Sequence, residues 1–291
     1  MTGGSSKALA AADGVQLHLR HWPRDGAARG TVLLVHGLGE HIGRYEHVAA
    51  HLNDWGWHAV GYDQRGHGRS EGARGRLPNG EALLDDLSRV IDATRADRPG
   101  PLLLLGHSMG GVVAARFVAE ALDAAPATWS RPVDALVLSS PALALEMTGG
   151  QRLLLAVAGR LAPNLAVGNG LDPAWISRDA QVVQRYVDDP LVHDRIAPRL
   201  ARFMVDGGHH VLERAANWRV PTLLLWAGSD RCVAPAGSAG FAAAAPQALV
   251  AVHEFRALYH EIFNEPEQAE VFAVLGEWLQ GLSLTDTRPP A

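Results

Sequence analysis

The sequence has 291 residues, of which 47% are hydrophobic and 20% are charged, a composition typical of a globular protein with a sizeable core. Its formal net charge of −5 argues against a nucleic-acid partner, because such a partner requires a basic surface. Cys232 is the single cysteine, so no disulfide forms within the chain. We find no secretory signal and no apolar stretch of about 20 residues that could cross a bilayer, and therefore predict a cytoplasmic protein.

Apolar runs alternate with segments of helical spacing along most of the chain. The runs predict strands at 15–22, 31–35, 57–62, 101–105, 133–138, 221–227 and 248–255. Helical spacing predicts helices at 45–55, 80–96, 112–118, 238–245 and 266–282. This alternation predicts an α/β fold with a mostly parallel sheet and helices on both faces. Ligands of such folds bind at the carboxyl ends of the strands.

The alternation stops between 143 and 217, where the pattern is helical and predicts no buried strand. We therefore divide the chain into a core of 9–142 and 218–283, a helical cap of 143–217 over the sheet edge, and flexible tails at 1–8 and 284–291. The cap carries an apolar stripe at helical spacing, formed by Leu153, Leu154, Val157 and Leu161. Such a stripe usually packs inside a protein, and it also suits transient contact with lipid surfaces.

A glycine-rich turn lies between the strand at 101–105 and the helix at 112–118. This turn, Gly106–Gly111, contains the pattern G-x-S-x-G with Ser108 at its centre. A sharp strand-to-helix turn holds the serine in strained backbone geometry and exposes its hydroxyl above the sheet, as a nucleophile requires. The alternative is a serine that only caps the helix. The rest of the chain has to decide between the two.

A serine nucleophile needs a histidine base and a carboxylate that orients the histidine. In folds of this kind the three follow one another as serine, acid and histidine, each after a strand. Asp230 comes after the strand at 221–227, and His260 comes after the last strand. The sequence therefore predicts a triad of Ser108, Asp230 and His260. The backbone N–H groups of Leu38 and Met109 are predicted to form the oxyanion hole.

Two other carboxylates have structural interpretations. Asp63 also ends a predicted strand, but it precedes the serine in the chain, and we assign it to bracing its own glycine-containing loop. Glu261 is the neighbour of His260 and cannot easily face the same ring, so we assign it a structural role.

The remaining histidines and the cysteine do not predict a metal site. His47 and His51 have the i, i+4 spacing of metal ligands on a helix, but no third ligand is evident. His209 and His210 follow two glycines, and we interpret them as a helix entry. Cys232 lies next to the acid without the surroundings of a cysteine nucleophile.

Several motifs together resemble the α/β-hydrolase superfamily and, within it, the monoacylglycerol lipase and lysophospholipase-like serine hydrolases. The motifs are His36–His41 with Arg44-Tyr45, Asp63–Ser70, Gly106–Gly111, Gly228–Asp230 with Val233 and Pro235, and Tyr259–Glu261. The resemblance covers nearly the whole chain apart from the tails, and the cap matches only vaguely. It implies an α/β-hydrolase fold with a helical cap inserted after the sixth core strand, and an apolar acyl tunnel under the cap.

The resemblance also implies a small-molecule acyl ester as substrate: hydrolysis of monoacylglycerols to a fatty acid and glycerol through an acyl-enzyme on Ser108, with no cofactor and no metal. It implies that Glu40 and Arg44 hold the glycerol end, whereas a salt bridge at a helix start is the alternative for these two residues. A broader carboxylesterase or lysophospholipase is an alternative function. A non-catalytic small-molecule receptor on the same scaffold is the alternative from another class. The sequence leaves acyl length and oligomeric state open.

Overall fold

The computed structural model describes residues 4–283. Its strands are β1 (Ser5–Ala10), β2 (Gln16–Trp22), β3 (Thr31–Val35), β4 (His58–Tyr62), β5 (Leu102–His107), β6 (Ala135–Ser139), β7 (Val167–Gly168), β8 (Arg195–Ile196), β9 (Thr222–Ala227) and β10 (Val250–Phe255). Its α-helices are α1 (Glu46–Asp54), α2 (Ala82–Asp97), α3 (Met109–Ala119), α4 (Gly149–Leu161), α5 (Ala180–Asp188), α6 (Pro198–Arg214), α7 (Pro235–Ala244) and α8 (Gln268–Gly281). Short 3₁₀ helices lie at Ile42–Tyr45, Glu120–Leu122, Pro173–Trp175, Ala215–Asn217 and Ile262–Asn264.

One 8-stranded sheet forms the centre of the molecule, with the strand order β1-β2-β4-β3-β5-β6-β9-β10. From β4 to β10 the neighbouring strands are parallel, whereas β1 pairs with β2, and β2 with β4, in the antiparallel sense. Strands β3, β5 and β6 are buried along their whole length because helices cover both faces of the sheet. The predicted mostly parallel α/β sheet with helices on both faces, the α/β-hydrolase architecture, is confirmed.

Each face of the sheet has its own apolar layer. Helices α1 and α8 cover one face through residues such as Leu52 and Leu275, whereas α2, α3, α6 and α7 cover the other through residues such as Phe117 and Phe241. The parallel strands point their carboxyl ends in one direction, so the loops after them meet at a single edge of the sheet.

The segment between β6 and β9 follows the sixth strand of the chain, where the cap is expected. It contains α4, the exposed two-residue pair β7–β8, α5 and α6. Helix α4 has no buried residue, and its apolar stripe is open to solvent, with Leu153 68% and Leu154 66% exposed. Helix α6 differs, because Leu200 and Val211 join the same apolar layer as α3. Within residues 4–283, no helix is both long and apolar enough to cross a bilayer.

Two sequence-based expectations are corrected by the structure. The predicted tail at 1–8 is wrong for Ser5 onwards, because these residues pair with β2 as the mostly exposed edge strand β1. His209 and His210 do not enter a helix but lie inside α6. The glycines before them allow close packing there, since a Cβ on Gly208 would lie 2.3 Å from the Leu143 carbonyl oxygen. Residues 1–3 and the predicted tail at 284–291 lie outside the described residues.

The turn after β5 depends on glycine because the chain is too closely packed there for a side chain. A Cβ on Gly110 would lie 2.0 Å from the carbonyl oxygen of Val35. We therefore expect Gly110→Ala to lower the free energy of unfolding by about 1–3 kcal/mol, as overpacking of a core does. Urea unfolding measures this change. Gly80→Ala is the control, because a Cβ on Gly80 would have no heavy atom within 4 Å. Equal stability of the two variants would contradict the steric argument.

Candidate active site

The backbone at Ser108 is strained. Ser108 has φ 54° and ψ −120°, a combination with a positive φ that is uncommon for any residue except glycine. The turn joins β5 to α3, and the serine N–H donates to the carbonyl oxygen of Ser139 at 3.0 Å. A Cβ on Gly106 would lie 2.4 Å from the carbonyl oxygen of Gly110, so this flank of the turn also excludes a side chain. The geometry is that of an elbow that presents a nucleophile.

The loop after β3 packs directly against this turn. A Cβ on Gly37 would lie 3.1 Å from the Cβ of Ser108, so the glycine allows the two loops to meet. Leu38 follows Gly37, and its N–H makes no hydrogen bond within the described part of the chain. Met109 is the first residue of α3, where a backbone N–H has no intrahelical acceptor. Two N–H donors thus lie next to Ser108 on two loops that touch each other.

Asp230 and His260 form a hydrogen-bonded pair at the ends of β9 and β10. The histidine Nδ1 lies 2.7 Å from Oδ2 of Asp230, and the other oxygen, Oδ1, accepts the N–H groups of Cys232 and Val233 at 2.8 and 3.1 Å. Because an ionised carboxylate only accepts, Nδ1 carries the proton and Nε2 keeps a free lone pair. This is the tautomer that a general base needs.

The charge of Asp230 controls the ionisation of this pair. Burial lowers the pKa of His260, but the negative charge of Asp230 and its hydrogen bond outweigh burial and raise the pKa above the ordinary value. Burial alone would raise the pKa of Asp230. The partly positive imidazole and the two backbone N–H groups nevertheless hold that pKa below its usual range. His107 packs against the catalytic ring with 4.8 Å between ring centroids, and burial lowers its pKa to about 4, so it stays neutral.

Ser108 and His260 line one cavity of about 340 Å³ together with Leu38. Part of the cavity wall comes from the cap. The cap residues of this wall are Asn169, Leu171, Asp172, Pro173, Ile176, Tyr186, Val187, Asp189, Val192, His193 and Asp194. Both apolar and polar side chains line the cavity, so it can accept a molecule that carries both an ester and hydroxyl groups.

Glu40 and Arg44 form the salt bridge that the sequence leaves open as the alternative to substrate binding. Nη1 of Arg44 donates to Oε2 of Glu40 at 2.8 Å. Glu40 is buried at the cavity wall, whereas Arg44 is not among the lining residues. The other oxygen of Glu40 accepts the N–H of Gly37 at 2.6 Å and the hydroxyl of Tyr45 at 2.7 Å. Both residues therefore stabilise the loop after β3, which contains Gly37 and Leu38.

The alternative carboxylate and histidines have structural surroundings. Asp63 accepts the N–H of Ile42 at 2.7 Å and the N–H of Arg69 at 2.8 Å, so it braces the loops as its interpretation requires. His47 lies 3.0 Å from the carbonyl oxygen of Phe263. The His51 ring stacks on Phe272 with 4.0 Å between ring centroids.

Two groups of side chains in the described residues bring three metal-ligating atoms close together: Asp230 with Cys232 and His260, and Glu120 with Asp123 and His210. In the first group burial raises the pKa of the Cys232 thiol, which disfavours the thiolate that binds metals. In the second group Arg116 and Arg214 already pair with the two carboxylates. Neither group therefore offers the free anionic ligands of a metal site.

The cap residues that touch the catalytic loops have no signal in the sequence. His193 donates its backbone N–H to the carbonyl oxygen of Gly39 at 2.8 Å, and Asp189 pairs with Nε2 of His41 at 2.8 Å. The Tyr186 ring lies 4.8 Å from the guanidinium carbon of Arg44. These contacts join segments that are more than a hundred residues apart, so local patterns cannot predict them.

Comparison with known proteins gives one family and several close relatives. The model of the family described as serine aminopeptidase, S33, matches residues 26–267. A monoacylglycerol lipase of Mycolicibacterium smegmatis is 36% identical over 94% of this chain and 96% of its own length. The crystal structure of a monoacylglycerol lipase from Paleococcus ferrophilus superposes with a TM-score of 0.81 at 34% identity, covering 92% of this chain and 99% of that one.

The chain also matches part of a longer protein. An abhydrolase domain-containing protein of Dictyostelium discoideum is 32% identical over 96% of this chain, which spans 29% of that protein's length.

The Asp230–His260 pair generates a prediction about pH. Replacing Asp230 with asparagine removes the charge that raises the pKa of His260 and leaves burial, which lowers it. We therefore expect Asp230→Asn to move the titration midpoint of His260 to lower pH, as followed by NMR of the imidazole nitrogens. Asp92→Asn, in an exposed pair with Arg131, is the control and should leave that midpoint unchanged. An unaltered midpoint in Asp230→Asn would show that the carboxylate does not control the imidazole.

Proposed function

Because the chain belongs to the serine aminopeptidase S33 family of α/β-hydrolases, we propose that it hydrolyses monoacylglycerols to a fatty acid and glycerol through an acyl-enzyme on Ser108. The chain is a serine hydrolase of carboxylic esters. The substrate proposal is carried by the 36% identity to the M. smegmatis monoacylglycerol lipase over almost the full length of both chains. The cytoplasmic location stays a prediction.

The proposed mechanism begins with attack of the Ser108 hydroxyl on the ester carbonyl. His260 accepts the proton of the Ser108 hydroxyl on Nε2 while the oxygen attacks the ester carbonyl, and Asp230 stabilises the imidazolium that forms. The N–H groups of Leu38 and Met109 receive the negative charge that develops on the carbonyl oxygen. A single donor of this kind typically contributes a factor on the order of 10²–10³ in rate.

Three proton transfers complete the reaction. The imidazolium gives its proton to the departing glycerol oxygen, which leaves the fatty acyl group esterified to Ser108. A water molecule then loses a proton to His260 and attacks the acyl-enzyme. The tetrahedral intermediate collapses to a free fatty acid, and the His260 imidazolium returns its proton to the departing Ser108 oxygen, which restores the serine hydroxyl and the neutral imidazole. No atom outside the chain, the substrate and water is needed.

A second cavity supports a fatty acyl chain as part of the substrate. This cavity of about 540 Å³ lies between α4 and α6 and is lined by apolar side chains that include Leu155 and Met204, together with the charged side chains of Arg152, Arg160, Arg202 and Asp206. Leu143 also lines it and follows Ala142 in the chain, whose N–H donates to the Ser108 carbonyl oxygen at 3.0 Å. We place the acyl chain in this cavity and the glycerol group in the cavity lined by Ser108 and His260.

Initial rates on a series of esters test the proposed function. We expect turnover to be fastest with monoacylglycerols, and slower with diacylglycerols, triacylglycerols and lysophosphatidylcholine. Ser108→Ala should lower every rate by a factor on the order of 10³ or more, because a triad without its nucleophile keeps only residual catalysis. Ser130→Ala, away from the cavity, is the control.

The series separates the alternatives. Faster turnover of lysophosphatidylcholine or of unactivated short-chain esters would replace the monoacylglycerol proposal with a lysophospholipase or a broader carboxylesterase. Absence of covalent labelling of wild-type Ser108 by a fluorophosphonate would support the non-catalytic receptor instead.

We also propose that the outer face of α4 contacts lipid surfaces. Leu153, Leu154, Val157 and Leu161 are exposed there, as in helices that lie in a membrane interface. Leu154→Glu should weaken retention on phosphatidylcholine vesicles in a sedimentation assay. Val252→Glu is the matched control, because Val252 is 49% exposed on β10, outside the cap. Equal retention of wild type and Leu154→Glu would contradict lipid contact.

A further inference from the structure

Arg44 lies where three functional segments meet. Its Nη1 and Nη2 donate to the two carboxylate oxygens of Glu261 at 2.6 and 2.7 Å, and Nη1 also donates to Glu40 at 2.8 Å. The flat face of the guanidinium lies on the ring of Tyr186, 4.8 Å from the ring centroid. The Arg44 side chain is only 12% exposed. Three hydrogen bonds and the Tyr186 ring thus occupy much of the guanidinium, which leaves little of it for a substrate.

Each partner of Arg44 belongs to a different part of the site. Glu40 holds the N–H of Gly37, so it fixes the loop that carries the N–H of Leu38. Glu261 directly follows His260 in the sequence. Its own N–H donates to the carbonyl oxygen of Ile176 in the cap at 2.8 Å. Tyr186 lies on α5 and lines the cavity. One guanidinium therefore contacts the loop after β3 that carries Leu38 (the oxyanion loop), the loop after β10 that carries His260 (the histidine loop) and the cap.

We propose that Arg44 is a positioning residue whose guanidinium fixes the oxyanion loop and the histidine loop relative to each other under the cap. The inference rests on the triad assigned under the proposed function. A planar bidentate bond to Glu261 and a second carboxylate at Glu40 define the distance between the two loops more strictly than a single contact would. A shift of about 1 Å between catalytic groups can cost on the order of 10²-fold in rate.

The charge balance around His260 gives this role a measurable signature. Asp230 and His107 contact the imidazole, Glu261 and Glu40 act on it through their charge, and the three carboxylates all favour the protonated ring. Arg44 neutralises part of the negative charge of Glu261 and Glu40. Its loss should therefore raise the pKa of His260. Since the base must be neutral, the acid limb of kcat/KM should then move to higher pH. Glu261→Gln removes a carboxylate and should move the same limb to lower pH.

The experiment compares Arg44→Met, Arg44→Lys and Glu261→Gln with wild type, using p-nitrophenyl acetate and a monoacylglycerol across pH. We expect Arg44→Met to lower kcat by about 10²-fold on both esters, with KM little changed. Arg44→Lys should recover part of this loss, because lysine keeps the positive charge but cannot form the planar bidentate hydrogen bonds of the guanidinium. Arg131→Met is the matched control, since Arg131 makes a bidentate pair with Asp92 on the surface. It should match wild type.

The outcomes separate positioning from the other roles of Arg44. A loss confined to the glycerol ester, with a raised KM, would overturn the proposal in favour of direct contact with glycerol, because p-nitrophenyl acetate has no glycerol group. Unmoved acid limbs in both Arg44→Met and Glu261→Gln would also overturn it. If Arg44→Met fails to fold, the acid limb of Glu261→Gln alone tests the proposal, because glutamine has nearly the same shape as glutamate and should leave the fold intact.

Failure of the proposed function would look different. Wild-type protein that does not react with a fluorophosphonate at Ser108 would remove the triad. Reaction of wild type and Arg44→Met at the same rate and the same pH dependence would remove only the positioning role.

Discussion

Close approach of backbone to backbone around Ser108 is the constraint on which the site depends. A Cβ on Gly110 would clash with the carbonyl oxygen of Val35 at the end of β3. A Cβ on Gly106 would clash with the carbonyl oxygen of Gly110 across the turn. This contact brings β3, β5 and the start of α3 together, and it places the Leu38 loop beside the serine. The positive φ of Ser108 persists because packing on every side fixes the backbone.

The parallel sheet then brings the remaining groups to the same edge. Asp230 and His260 follow adjacent strands, β9 and β10, whose parallel register places Ala227 beside Phe255. The two loops therefore leave the sheet side by side. This places the side chains of Asp230 and His260 close enough for their hydrogen bond of 2.7 Å. Ser108 follows β5, which lies two strands away from β9 in the sheet, beyond β6. The fold thus sets the distances, and the side chains set the protonation states.

Local patterns predict the sheet, and they predict that Ser108, Asp230 and His260 each follow a strand, because these features depend on residues near in sequence. Buried strands are continuous apolar runs, and Ser108, Asp230 and His260 each follow such a run. The edge strand β1 has no such signal, since one of its sides is unpaired and most of its side chains are exposed. Glycine before His209 suggests a helix entry, yet Gly208 serves close packing inside α6. The bidentate bond of Arg44 to Glu261 spans 217 residues, and only the folded structure shows it.

The cap has two parts that differ in how they are held. Its inner part, which includes α5 and the segment before β8, is tied to the core by polar bonds, among them His193 to Gly39 and Asp189 to His41. Its outer helix, α4, buries no residue. Hydrogen bonds need defined donor and acceptor positions, whereas substitutions on an exposed face usually change the free energy of unfolding little. If the acyl chain lies in the cavity beneath α4, as we propose, changes in α4 should alter substrate preference without moving the loops that carry Leu38 and His260.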